Sequence, residues 1–190
     1  MNGYVQWAAA RAGDGMDVRF AAPTLAVLDS LKSDALVSFF FQEERPLQGV
    51  SGLVDWRLGG LLSRRLVQGQ ISGQWQECVL VPVFPRLPSE RFFLLGLGSQ
   101  EDFDLVRFQA ALRQMFAALS AAGVRSMAWS LPGRSTDCWG AEDALMHFLT
   151  LWREEAGSPE LWVLEDADSS RTLLTMVESA RRRARAAAAP

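Results

Sequence analysis

His147 is the single histidine of the chain, with Asp143 one turn before it and Glu154 two turns after it on the same face of an expected helix. An imidazole and two carboxylates are metal-ligand types, but protein zinc sites take roughly three or four ligands. The competing reading is a solvated polar stripe of Asp143, His147, Thr150 and Glu154 opposite a Leu/Phe/Trp face, and the helical spacing favours it. Cys138 and His147 are a thiolate–imidazole pair in type. Nothing fixes their geometry, because Cys138 stands with Asp137, Trp139 and Gly140 in an expected loop. Gly96-Leu97-Gly98 follows a strand pattern and precedes a helix pattern, the setting of a phosphate-binding turn. The third glycine of a dinucleotide fingerprint would fall on Glu101, whose charge repels phosphate, so a tight strand-to-helix turn is the simpler reading. Arg181-Arg182-Arg183 with Arg185 is the one basic run, suited to nucleic acid or an acidic protein. Cations at the end of a helix also complement its dipole, and that explanation is preferred. No catalytic residue, metal site or cofactor is read from these groups.

The elements that must carry them belong to a globular chain. Its 190 residues are enough for one domain with a sizeable core, or a domain with an appendage. Hydrophobic residues make up 49%, with seven Trp and eleven Phe, which excludes disorder. A net charge of −3 gives no general attraction to nucleic acid or to an anionic membrane. No apolar run approaches the roughly 18 residues of a membrane span. Met1–Ala12 has neither a basic start nor a continuous apolar core, so it does not read as a secretory leader. Cys78 and Cys138, few and far apart, read as reduced thiols of a cytoplasmic protein.

Val50–Leu66 is expected to be the central helix. Val50, Leu53/Val54, Leu58, Leu61/Leu62 and Leu66 form its apolar face; Ser51, Asp55 and Ser63 form its polar one. Gly59-Gly60 inside it should cost about 1 kcal/mol each, a cost most easily explained by a backbone that passes close by. Leu53, Leu58, Leu62, Phe93 and Leu95 are expected to pack together. Around this helix, strands are expected near Met16–Ala22, Ala35–Phe41, Glu77–Phe84, Arg91–Leu97, Ser126–Leu131 and Leu161–Glu165. Pro82 assigns Glu77–Phe84 to an edge or bulge. Helices are expected at Pro23–Lys32, Phe103–Ala122, Ala141–Glu155 and Ser169–Ala189. The alternation points to an α/β sandwich with a parallel or mixed sheet.

Several segments in register resemble the N-terminal domain of the leucyl aminopeptidase family, the two-metal M17 peptidases. They are Arg45-Pro46-Leu47, Leu53-Val54-Asp55 with Leu58-Gly59-Gly60, Gly69…Gly73 before Glu77, Phe93-Leu94-Leu95-Gly96-Leu97-Gly98, Ala121-Ala122-Gly123-Val124 and Leu131-Pro132-Gly133. The match runs over roughly 17–165. It implies a macrodomain-like three-layer α/β sandwich, a mixed sheet of about six strands between helices, plus a C-terminal helix. The expected organisation is a flexible N-terminus at 1–14, the α/β domain at 15–166, and at 167–190 the helix that joins the two domains in that family.

The resembled family does its chemistry in a following domain, and none of that domain's metal ligands is present here. No family catalytic residue can therefore be carried over. The resemblance implies a non-catalytic, stand-alone relative acting as a protein-interaction or regulatory module. One alternative is the N-terminal domain of an M17 metalloaminopeptidase separated from its catalytic domain. A further alternative is a nucleotide or ADP-ribose binder, with Gly49, Gly52, Gly96 and Gly98 as ligand-loop candidates, although the glycine-rich loops of such binders are not evident. A protein partner or self-association is expected through the final helix. Its apolar stripe of Leu173, Leu174 and Val177 and its arginines Arg181, Arg182, Arg183 and Arg185 form the expected surface, and folding back on the domain is disfavoured because alanine-rich turns bury little area.

Overall fold

Ala35–Phe40 contains six consecutive buried residues, the pattern of a strand covered on both sides. Successive side chains alternate between faces. Val37 and Phe39 therefore enter one apolar layer, and Leu36 and Phe40 enter another. The computed structural model describes residues 8–11, 17–154 and 160–187. In chain order these form β1 (Ala8–Arg11), β2 (Asp17–Ala21), α1 (Leu25–Ser30), β3 (Ala35–Phe40), α2 (Gly49–Arg57), α3 (Leu61–Val67), β4 (Cys78–Pro82) and β5 (Arg91–Gly96). There follow α4 (Leu105–Ala121), β6 (Ser126–Trp129), α5 (Ala141–Glu154), β7 (Glu160–Leu164) and α6 (Ala167–Ala187).

The sheet has the order β1-β2-β7-β6-β3-β5-β4. Its five inner strands run parallel, and β1 and β4 pair antiparallel at the two edges. Pro82 is thus on an edge strand, where a missing N–H costs least. Helices α4, α5 and α6 cover one face through residues such as Phe108, Leu112, Phe148 and Leu173. Helices α1, α2 and α3 cover the other through Leu28, Val54 and Leu62. This is the expected three-layer mixed sandwich, with one strand more than expected. The additional strand, β1, falls in the stretch expected to be flexible. It pairs Ala8 with Phe20 through Arg11 with Asp17 by backbone bonds, which need no hydrophobic alternation to announce them.

The expected central helix is two helices. Gly59 and Gly60 have φ of +66° and +75°, left-handed values that end α2 and turn the chain into α3. A Cβ on Gly59 would meet nothing within 4 Å, and one on Gly60 only the Arg64 guanidinium, at 3.5 Å. The glycines serve backbone conformation, not close approach. The break also reverses the expected polar face. Asp55 and Ser51 are buried, and the Asp55 carboxylate accepts from the Leu62 N–H at 2.7 Å and the Ser63 N–H at 3.3 Å, capping α3 across the turn. Leu62 packs with Val54 beneath one face of the sheet, with Leu53 and Leu58 partly buried against that layer, whereas Phe93 and Leu95 lie on the other face. The five leucines and phenylalanines expected to pack together are divided by the sheet.

Helix α6 folds back on its own domain. Leu173 is 0% exposed and Val177 2%, both within the core layer shared with α5, and Leu174 packs against it partly buried. That overturns the preference for an uncovered stripe. The stripe is short, but α5 and the sheet already present an apolar surface for it to complete. Arg182 is exposed, with a long 3.9 Å pairing to Glu178; the side chains of Arg181, Arg183 and Arg185 lie outside the described residues.

Candidate functional site

The carboxyl ends of parallel strands leave a crevice where their loops diverge, and ligands of open α/β sheets bind there. In this protein the crevice is a cleft of about 240 Å³ over the ends of β3, β6 and β7. The residues after β7, Glu165 and Asp166, form one wall, and the turn Arg134–Thr136 after β6 forms another. The amino end of α2, at Gly49 and Val50, closes a third side, and Pro23 and Leu164 add apolar surface.

Each wall has a local cause. Gly133, at φ +76°, reverses the chain after Leu131-Pro132 and aims Arg134 back at the sheet. Arg134 donates from Nε and Nη2 to the two oxygens of Glu165, at 3.1 and 3.2 Å. Its Nη1 donates to Asp137 at 3.2 Å and to the Trp139 carbonyl at 3.0 Å, and Nη2 is 3.9 Å from Asp166. Four of the guanidinium's five N–H donors are thereby taken. Burial pushes the Glu165 carboxyl above its ordinary range, with the Arg134 hydrogen bonds and charge pulling against it. Burial opposes the Arg134 charge, but the Glu165 bonds and the charges of Glu165, Asp137 and Asp166 outweigh it and raise its pKa. Hydrogen bonds from Ser169 hold Asp166 below the usual carboxylate range, where it caps α6.

On the floor, Ser38 and Ser130 share one hydroxyl–hydroxyl contact at 3.1 Å. Behind the cleft, Glu44 is buried and accepts from the N–H groups of Phe41 and Gln48 and from the Ser135 hydroxyl, at 3.3, 3.0 and 3.0 Å. Burial raises its pKa above the ordinary glutamate value. Glu44 thus fixes the loop after β3, the start of α2 and the turn after β6 together. In the sequence it reads only as part of a charged loop. Arg134, Glu165 and Ser38 likewise gave no signal, since the fold alone joins them.

Of the glycine candidates, the structure brings only Gly49 to the cleft. A Cβ on Gly52 would lie 2.7 Å from the Leu47 carbonyl oxygen, and one on Gly96 would lie 2.1 Å from that of Gln74. Gly98, at φ +75°, packs against Trp75. These three lie outside the lining of this cleft, at positions where packing and turn geometry call for glycine. Asp143 and Thr150 are exposed and His147 is half-buried, its ring 5.7 Å from that of Trp139 and 6.1 Å from that of Phe108. Among the described residues no group of three or more His, Cys, Asp or Glu side chains is placed to hold a metal ion. Cys138 is half-buried, and burial raises its pKa, away from a reactive thiolate.

Residues 36–148 match the family model described as the cytosol aminopeptidase family, N-terminal domain. A probable cytosol aminopeptidase of Cupriavidus necator is 29% identical over 123 residues, covering 65% of this chain and 24% of the relative. Another, of Geotalea uraniireducens, is 35% identical over 74 residues, covering 39% of this chain and 15% of the relative. The chain thus spans about a quarter or less of the length of these curated relatives. Among solved structures, a mutant tomato leucine aminopeptidase superposes with a TM-score of 0.58 at 19% identity, over 85% of this chain and 35% of that one. The Oceanobacillus iheyensis macrodomain with ADP superposes at 0.64 and 11% identity, over 93% and 100%. At these identities the likeness is one of fold.

Proposed function

We propose, because this chain belongs to the cytosol aminopeptidase family as an N-terminal domain, that it is a non-catalytic binding module acting by interaction or regulation. The observation that carries this reading is the state of three of the cleft's four ionisable groups. Arg134 and Glu165 are spent on each other, and Asp166 is spent on capping α6. A catalytic acid or base needs a group free to reach its substrate, and these are structural. A cytoplasmic setting accords with the relatives' description as cytosol aminopeptidases, and no helix of the described residues is long and apolar enough to cross a membrane. A protein partner or a second copy would have to use surfaces other than Leu173 and Val177, which the domain itself covers.

The test is hydrolysis of leucyl-p-nitroanilide by the purified chain with manganese or zinc added. No turnover above the blank is expected. Activity that co-purifies with the chain and disappears on chelation would overturn the reading. A second reading, that this domain serves a metalloaminopeptidase catalytic domain, is favoured by the relatives, of which the chain spans only 24%. Pull-down with a family catalytic domain and light scattering of the mixture would distinguish it from independent action. A nucleotide role has the shared fold in its favour, since the macrodomain of like fold was solved with ADP. The occupied Arg134 guanidinium and the acidic wall weigh against it.

A further inference from the structure

We propose that the outer edge of β4 pairs with the same edge of a second copy of this chain, so that two sheets join across a two-fold axis. The ladder with β5 sets which backbone groups face outward. The Gly96 N–H donates to the Glu77 carbonyl at 2.8 Å and the Val83 N–H to that of Glu90 at 3.1 Å, and the antiparallel register between these two bonds is continuous. Bonded and non-bonded residues alternate along such a pair. Glu77, Val79, Val81 and Val83 therefore turn their backbone groups toward β5, and Cys78, Leu80 and Pro82 turn theirs away from the sheet. Among the described residues the Cys78 and Leu80 N–H groups make no backbone hydrogen bond.

Edge strands are ordinarily shielded by charged side chains or by a covering element. Cys78–Pro85 contains no charged residue, and in it Leu80 is 52% exposed and Phe84 68%. The edge is also complementary to itself. With Leu80 of one copy opposite Leu80 of the other, each Leu80 N–H meets the other's Leu80 carbonyl, and each Cys78 N–H meets the other's Pro82 carbonyl. Pro82 has no N–H to place, so every outward donor of β4 is matched. No like charges come together, and the half-exposed Leu80 side chains become cross-strand neighbours on one face. A foreign strand would need this donor spacing and this lack of charge; a copy has both by identity. The two-fold pairing closes on itself, as isologous dimers do. The inference goes beyond the interaction-module reading by naming a surface and its occupant, and the aminopeptidase assay that tests that reading does not bear on it.

The experiment is sedimentation of the full chain over a concentration series up to about 1 mM, in reductant so that no Cys78 disulfide can link the copies. Amide hydrogen exchange is measured at both ends of the series. A monomer–dimer equilibrium is expected. The Cys78 and Leu80 amides should exchange slowly only in concentrated protein, and the Val79 and Val81 amides, bonded to β5, slowly in both. Leu80→Lys places two ammonium groups opposite each other and should abolish the dimer. Cys78→Pro removes an outward N–H without touching the β5 ladder and should also weaken it. Val106→Lys, at a residue 71% exposed on α4, should leave it intact. A chain monomeric throughout the series, a dimer that survives Leu80→Lys, or Cys78 and Leu80 amides equally slow in dilute protein would overturn the proposal.

Discussion

Arg134 and Glu165 meet as a bidentate pair across the carboxyl edge of the sheet, joining the turn after β6 to the residue after β7. The side chain of Arg134 is 16% exposed and that of Glu165 5%. A pair so placed contributes little net energy while intact, because desolvation offsets attraction, yet leaves a stranded charge when halved.

Arg134→Ala should therefore cost about 3–5 kcal/mol, with Glu165 left buried and unpaired. Adding Glu165→Leu should restore part of that loss. Urea unfolding of the two single variants and the double variant measures it. An Arg134→Ala protein as stable as wild type would show that the pair is solvated.

The glycines at the α2–α3 break and at the end of β5 should respond differently to alanine. Gly60→Ala places a side chain at φ +75° and should cost about 1–2 kcal/mol, with Gly60→Asn milder. Gly96→Ala should cost more, since its Cβ would lie 2.1 Å from a backbone oxygen. Thermal melts of the three variants rank them; the reverse order would mean that space, not backbone conformation, matters at Gly60.

Leu173→Ala should destabilise the whole domain by about 2–5 kcal/mol, as removal of a core leucine does. Amides of α6 around Leu173 and Val177 should be protected from hydrogen exchange in dilute protein. Fast exchange there, or an unchanged melt, would mean that α6 does not dock as described.

Glu44 sets a pH dependence. Its folded pKa lies above its unfolded one, so its contribution is complete below the unfolded value and is lost as pH rises through the folded one. Asp34 and Asp166, whose folded values are lowered, act in the opposite sense and lose their contribution as pH falls through those values. Stability should therefore decline from mildly acid toward neutral pH. Glu165, also raised, acts in the same sense, so Glu44→Gln should make that decline shallower, even though it removes an acceptor and lowers stability overall. An identical slope in the variant would assign the effect to another group.

Much of the architecture was legible because it depends on local pattern. The apolar run Ala35–Phe40 and the periodicity of Leu105–Ala121 each declare their element alone, and Pro82 declares an edge. The break at Gly59-Gly60 was misread for a physical reason: the hydrophobic period runs unbroken across it, and only the positive φ values interrupt the helix.

Apart from Gly49, the cleft was not legible. Ser38 and Ser130 stand 92 positions apart, and Glu44 and Ser135 91, yet each pair is in hydrogen-bond contact. Such pairs carry no local signature, since a serine or glutamate in a loop reads the same whether it faces water or a partner. The sequence by itself determined the alternation of strands and helices, the layers and the family, because propensity and burial pattern act over a few residues. Tertiary structure alone decided which loops meet at the strand ends, because the order β7-β6-β3 sets neighbours by sheet position and not by distance along the chain.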